Sequence, residues 1–160
     1  MTMESVTFGR WTVNVNRALT EAAYAAIAEG SPEKCVCDAC QNFVKRRDQI
    51  YPLSLRELFA RLGIDWRKEA EIYYNGEVRP GVHSYGGWFH FIGRIEAGHD
   101  GWKAVDLNTA VPDFQFLCDG FSLGFTNRIA LLPDPFRGQQ VVQVEFLAET
   151  RGPFEPEHVT

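Results

Sequence analysis

The chain has 160 residues, of which 45% are hydrophobic and 13% aromatic. That supply of apolar side chains is enough for one folded core and excludes a disordered chain. The formal net charge of -5 argues against a dedicated nucleic-acid binder, because such proteins normally present a basic face. We therefore predict a single domain over residues 1–160 with no nucleic acid among its partners.

The compartment is predicted from what the sequence lacks. The first ten residues, MTMESVTFGR, contain no apolar segment of a secretory signal. No apolar stretch approaches the ~20 residues that a membrane-spanning helix needs. Three of the four cysteines crowd into six positions, which is a poor framework for disulfides. We expect a cytoplasmic protein with reduced thiols and no membrane contact.

A strand and a helix are predicted at the beginning of the chain. Residues 6–15 are rich in β-branched and aromatic side chains, which favour a strand. Thr20 can cap a helix over residues 21–29, and Gly30 is placed to end that helix in a left-handed conformation.

A second helix is predicted to begin inside the cysteine-rich segment. Asp38 and Gln41 stand at the N-cap and N3 positions of a capping box, so we expect the helix to start at Asp38. Pro52 forces it to stop, because a residue before proline is driven out of the helical region.

The third helix carries the most complete set of end signals. Ser54 and Glu57 can form a capping box, and Leu53 and Leu58 can form the hydrophobic staple that accompanies it. Gly63, followed by an apolar residue, predicts a left-handed end to the helix.

The second half of the chain alternates between apolar and polar residues, as strands do. The Asn-Gly pair at 75–76 predicts a tight hairpin turn, and the Asp-Gly pair at 119–120 predicts another. Further strands are expected over residues 87–96 and 141–149. These elements predict an α+β fold, in which an N-terminal strand and helices pack on a mostly antiparallel sheet from the C-terminal half.

The segment CVCDAC gives Cys35, Cys37 and Cys40 the spacing of zinc ligands. A fourth ligand would come from far away, from Cys118 or a histidine, since no second cysteine pair follows. Two other interpretations stay open. The thiols could pack as small apolar groups at the start of their helix, or the helix N-terminus could lower one thiol pKa and make a reactive thiolate.

One long segment, residues 35–95, resembles a group of uncharacterised bacterial cytoplasmic proteins. In that group a Cys-x-x-Cys-x-Asn-Phe/Tyr motif leads into a helix ending in Leu-Gly-Ile-Asp, and a Lys, a Glu and a Gly-Trp or Gly-Tyr strand follow. The matching positions here are Cys37, Cys40, Asn42, Phe43, Leu62, Gly63, Ile64, Asp65, Lys68, Glu71, Gly87 and Trp88. The resemblance implies no activity.

Two sets of residues are predicted to bind a partner. The favoured interpretation of the shared segment is a scaffold of helix caps and core residues, and the functional alternative places Asn42, Lys68 and Glu71 around one pocket with the thiols. Aromatic residues among glycine-rich loops favour a recognition patch formed by Tyr85, Trp88 and Trp102.

No complete catalytic set is visible in the sequence. The leading interpretation is therefore a non-catalytic domain that binds a protein or a small ligand and needs no cofactor. The alternative is a small zinc-binding protein or enzyme that uses Cys35, Cys37 and Cys40.

Overall fold

A computed structural model describes residues 2–151 and confirms the α+β class, with three helices and nine strands in that part of the chain. The helices are α1 (Arg17–Ala25), α2 (Asp38–Ile50) and α3 (Leu53–Leu62). The strands are β1 (Glu4–Phe8), β2 (Trp11–Val15), β3 (Glu71–Arg79), β4 (Val82–Ala97), β5 (Trp102–Ala104), β6 (Ala110–Pro112), β7 (Gln115–Cys118), β8 (Phe121–Thr126) and β9 (Val141–Arg151). Within residues 2–151, no helix combines the length and the apolar character that crossing a membrane requires.

One antiparallel sheet dominates the fold, with strand order β1-β2-β4-β9-β8-β7. The 16-residue β4 is its centre, because residues 82–92 pair with β9 along one edge. Along the other edge, residues 82–88 pair with β3 and residues 93–97 pair with β2. A separate ribbon is formed by β5 and β6.

Helix α1 completes the edge of β4 between β2 and β3. The Tyr24 hydroxyl accepts a hydrogen bond from the His90 backbone N–H at 3.0 Å and donates one to the His90 carbonyl at 2.9 Å. The Thr20 hydroxyl accepts from the Ile92 N–H at 3.0 Å. Two side chains thus replace a missing strand, which leaves these buried backbone groups paired.

Helices α2 and α3 cover one face of the sheet with an aromatic core. Phe43 of α2 stacks near Phe146 of β9, with ring centroids 6.3 Å apart, and Phe59 of α3 meets Phe89 of β4 edge to face at 4.8 Å. The largest fully buried side chains are Trp11, Tyr51, Tyr85, Phe43, Phe59, Phe89, Phe91, Phe125, Phe136, Phe146, Leu55 and Leu62.

A buried ionic network lies beside this core. The Arg47 guanidinium donates to both carboxylate oxygens of Glu33, at 2.7 and 2.8 Å, and to Glu69 at 2.9 and 3.1 Å. The Tyr51 hydroxyl donates to Glu69 at 2.7 Å. Every charge in the network is therefore opposed by an opposite charge at contact distance.

The predicted beginning of the chain is wrong in two respects. Residues 6–15 are not one strand, because a turn at Gly9, with φ of 56°, divides them into β1 and β2. Helix α1 starts at Arg17, where the Asn16 side chain accepts from the Leu19 N–H at 3.0 Å. Thr20 therefore lies inside the helix, and Gly30, with φ of -76°, does not end it.

The third helix is confirmed at its end and corrected at its start. Gly63 has φ of 80°, and the Ile64 N–H donates to the Phe59 carbonyl at 2.9 Å, as a left-handed helix end requires. Ser54 does not cap the helix, because the N-cap residue is Pro52. Leu53 is 70% exposed, so the staple is absent.

The two predicted hairpin turns have different outcomes. Gly120, with φ of 73°, turns β7 into β8 as predicted. Residues 75–76 are not a turn: Asn75 is the extra residue of a bulge within β3, and Gly76 has φ of 104°. The positive φ that an Asn-Gly pair allows is therefore used in this bulge, and the chain turns into β4 only at residues 80–81.

Candidate functional site

The three clustered thiols converge where the chain enters α2. The sulfur atoms of Cys35, Cys37 and Cys40 all lie within 4.8 Å of one another. The Cys35 and Cys37 sulfurs are 3.2 Å apart. One turn of chain thus points three soft ligand atoms at one place.

The start of α2 explains how the thiols are oriented. The N-cap residue is Cys37, whose Sγ accepts a hydrogen bond from the Cys40 backbone N–H at 3.4 Å. The helix begins at Asp38 as predicted, but Asp38 does not cap it. Gln41 donates its side-chain amide to the Val36 carbonyl at 3.1 Å instead of closing a capping box.

The environments of the thiols differ across the cluster. Hydrogen bonds from the Cys40 N–H and the Cys35 thiol lower the pKa of Cys37, which is exposed. Burial and the two neighbouring thiols raise the pKa of Cys40, which packs partly against the core. The cluster therefore combines a thiol of lowered pKa with a thiol of raised pKa, and Cys37 is its exposed side.

Cys118 is not a member of this cluster. It ends β7, packs partly against the core, and lies outside the group of sulfurs within 4.8 Å. No histidine, aspartate or glutamate within residues 2–151 joins the three sulfurs at that distance. The described chain therefore offers three ligands at this place.

Asn42 and Tyr85 tie the cysteine-bearing end of α2 to the sheet. The Tyr85 hydroxyl donates to the Ala39 carbonyl at 2.9 Å, and the Asn42 amide donates to that hydroxyl at 3.3 Å. Both residues are buried, and burial raises the pKa of Tyr85 to about 12. They hold the first turn of α2, and with it Cys40, in a fixed position.

Lys68 and Glu71 make contacts with the chain around α1 and the turn at Ser31–Lys34. The Lys68 ammonium donates to the Tyr24 carbonyl at 2.8 Å. A Glu71 carboxylate oxygen accepts from the Ser31 hydroxyl at 2.9 Å. These contacts anchor the segment between α3 and β3.

Trp88 and Trp102 come together on the face of the sheet away from α2 and α3. They line a cleft of about 500 Å³ with Tyr73, Arg128, Ile129, Ala130, Gln143 and Glu145. Of the predicted patch, Trp88 and Trp102 line the cleft, whereas Tyr85 is fully buried against Phe43 of α2. Arg128, Gln143 and Glu145 were not predicted from the sequence. Gln143 and Glu145 carried one signal, since they alternate with apolar residues in β9 and so share a face.

Comparison of the chain with protein-family models, curated proteins and solved structures finds no match. The resemblance to the bacterial group therefore stays a prediction.

Proposed function

We propose that this chain is a metal-binding protein that holds zinc at Cys35, Cys37 and Cys40. The observation that supports the proposal is the convergence of three sulfur atoms within 4.8 Å. Sulfurs bound to tetrahedral zinc lie ~3.8 Å apart, because each Zn–S bond is ~2.3 Å long. Small side-chain rotations would bring the three thiols to that spacing.

The electrostatics of the cluster make binding depend on pH. Cys37 would offer a thiolate, because the hydrogen bonds to its sulfur favour the charged form. Cys40 would have to lose its proton to bind, and its pKa is raised in the absence of metal. We therefore expect affinity for zinc to rise with pH, since binding releases protons.

A fourth position on the metal would face solvent, since Cys37 is exposed. It would admit a water, a small ligand or a side chain from a partner protein. The predicted binding of a protein or small ligand would then take place at the metal. Three protein ligands and one open position are also the arrangement of catalytic zinc sites. A cytoplasmic location is part of the proposal, because reduced thiols persist there.

A zinc titration of the reduced protein against a competing chromogenic chelator tests the proposal. We expect one equivalent of zinc per chain, with affinity weakened at least about tenfold in Cys37→Ser. Cys118→Ser is the matched control, since Cys118 lies outside the cluster, and its affinity should equal that of the unaltered chain.

Cobalt substitution gives a second readout of the same site. Thiolate-to-cobalt charge-transfer absorption should appear in the unaltered chain and in Cys118→Ser, and should weaken in Cys37→Ser. Equal zinc affinity in all three proteins would overturn the proposal. Alkylation of Cys37 that proceeds at the same rate with and without zinc would also overturn it, because a metal-bound thiolate is protected.

A further inference from the structure

The aromatic cleft is built by strand register. Residues directly opposite in antiparallel strands share a face, and the β3-β4-β9-β8 ladders place Glu71, Trp88, Glu145 and Gly124 in one row. Trp88 and Glu145 are therefore immediate neighbours on the face that α2 and α3 leave uncovered. The cleft opens over this row.

Two glycines provide the space in which the aromatic rings lie. A Cβ on Gly86 would overlap the Tyr73 ring, and a Cβ on Gly124 would overlap the Phe114 ring. Phe114 in turn meets Trp102 edge to face, with centroids 6.0 Å apart. Close contact with the glycine backbones thus holds two walls of the cleft in place before any ligand arrives.

Glu145 forms the charged base of the cleft although it is only 5% exposed. The Gln143 amide donates to its carboxylate at 2.7 Å, and the nearby Trp102 side chain lowers its pKa. The orientation of Gln143 is fixed, because its carbonyl oxygen accepts from the Ala130 N–H at 2.8 Å. A carboxylate has about four acceptor positions, so these neutral neighbours leave capacity for a ligand.

Among the described residues, this carboxylate has no cation in contact with it. Within residues 2–151, no salt bridge reaches Glu145. Arg128 attracts it from a greater distance, while burial and the nearby Asp100 raise its pKa. A buried anion without a paired cation is unfavourable, and a cation entering the cleft would relieve that cost.

We propose that the cleft binds a small planar organic cation of the amidinium or guanidinium class, with its N–H groups on Glu145 and its flat face against Trp102 or Trp88. The Arg128 guanidinium already lies 5.7 Å from the centroid of the Trp102 ring, which shows the same pairing within the chain. A planar, weakly hydrated cation suits both partners, since it bonds a carboxylate in bidentate fashion and stacks on indole. This second site is independent of the cysteine cluster.

Three isosteric probes test the charge that the cleft prefers: benzamidine, neutral benzamide and anionic benzoate. Binding is followed by the four indole N–H signals in a two-dimensional NMR spectrum, with a chelator present so that zinc plays no part. We expect benzamidine to shift the Trp88 and Trp102 signals and to leave those of Trp11 and Trp66 unchanged. Benzamide should bind at least about tenfold more weakly, as loss of a charge-assisted bond implies.

Two matched variants test whether Glu145 is the carboxylate that binds benzamidine. Glu145→Gln keeps the shape of the side chain and should weaken benzamidine at least about tenfold. Glu149→Gln is the control, because Glu149 lies on the same strand but is exposed and pairs with Arg79 at 3.0 Å. The proposal is overturned if benzoate binds more tightly than benzamidine, or if Glu145→Gln binds benzamidine as well as Glu149→Gln does.

Discussion

Glu69 and Glu145 lie in different parts of the molecule and are almost equally buried, at 2% and 5% exposed. Burial raises the pKa of both carboxyls. At Glu69 that rise is opposed by contact with the Arg47 guanidinium and the Tyr51 hydroxyl. At Glu145 the donor in contact, the Gln143 amide, is neutral, as is the nearby Trp102 side chain that lowers the pKa.

The difference separates a structural charge from one available for binding. Glu69 accepts three hydrogen bonds, two of them from the Arg47 guanidinium, and its side chain is fully buried, so a ligand cannot reach it. Glu145 borders a cleft and has acceptor positions to spare. We therefore expect burial without a countercharge beside an opening to indicate a site better than burial alone does.

The largest change in the free energy of unfolding is expected when Arg47 is removed from the ionic network with Glu33 and Glu69. Arg47→Met leaves Glu69 buried without its cation, and loss of one partner from a buried ion pair costs ~3–5 kcal/mol of the free energy of unfolding. Urea denaturation measures this loss. Because the stranded carboxyl can be neutralised by a proton, the loss should shrink as the pH falls toward the ordinary carboxyl value of 4.5.

The control for Arg47→Met is Arg17→Met, which breaks the exposed pair with Glu21. That pair spans four residues on α1, and its loss should cost about 0.5 kcal/mol or less. Equal losses in the two variants would show that the network beside α2 contributes no more than a surface pair does.

The sequence predicted the cysteine cluster and missed the base of the cleft for one reason. Cys35, Cys37 and Cys40 are neighbours along the chain, so local spacing is enough to bring them together. Glu145 meets Trp88 only through the register of β4 on β9, and no local pattern encodes pairing between segments 57 residues apart (145 − 88).

The fold shows the same division between local and long-range information. The end of α3 at Gly63 was predictable because the left-handed cap is a local motif. The turn at Gly9 was missed because its flanking residues favour a strand on both sides. Asn75 was misassigned because a bulge and a hairpin turn use the same backbone conformations, and only pairing with β4 distinguishes them.

A moderate loss of stability is expected when Gly86, which packs under the Tyr73 ring of the cleft, is substituted. In Gly86→Ala the new methyl group overlaps the Tyr73 ring, and overpacking of this kind costs ~1–3 kcal/mol. Urea denaturation should show that loss, and benzamidine should bind more weakly because the ring must move. In Tyr73→Ala the ring is absent, so adding Gly86→Ala there should cost much less. Equal costs in the two backgrounds would contradict the proposed contact.

The smallest change in the free energy of unfolding is expected for Glu145→Gln. This substitution should stabilise the chain, whereas Arg47→Met should destabilise it. The folded chain raises the pKa of Glu145 above its ordinary value of 4.5, so the folded state binds the proton more tightly than the unfolded state does. The stability that this proton provides is complete below the unfolded pKa and is lost as the pH rises through the folded pKa.

Glu145→Gln removes the charge and should therefore raise the free energy of unfolding slightly at neutral pH. That gain should fade as the solution is acidified, because a protonated Glu145 side chain is as neutral as glutamine. A loss of stability at neutral pH would mean that the Glu145 charge is already compensated within the folded chain, and the contrast with Glu69 would disappear.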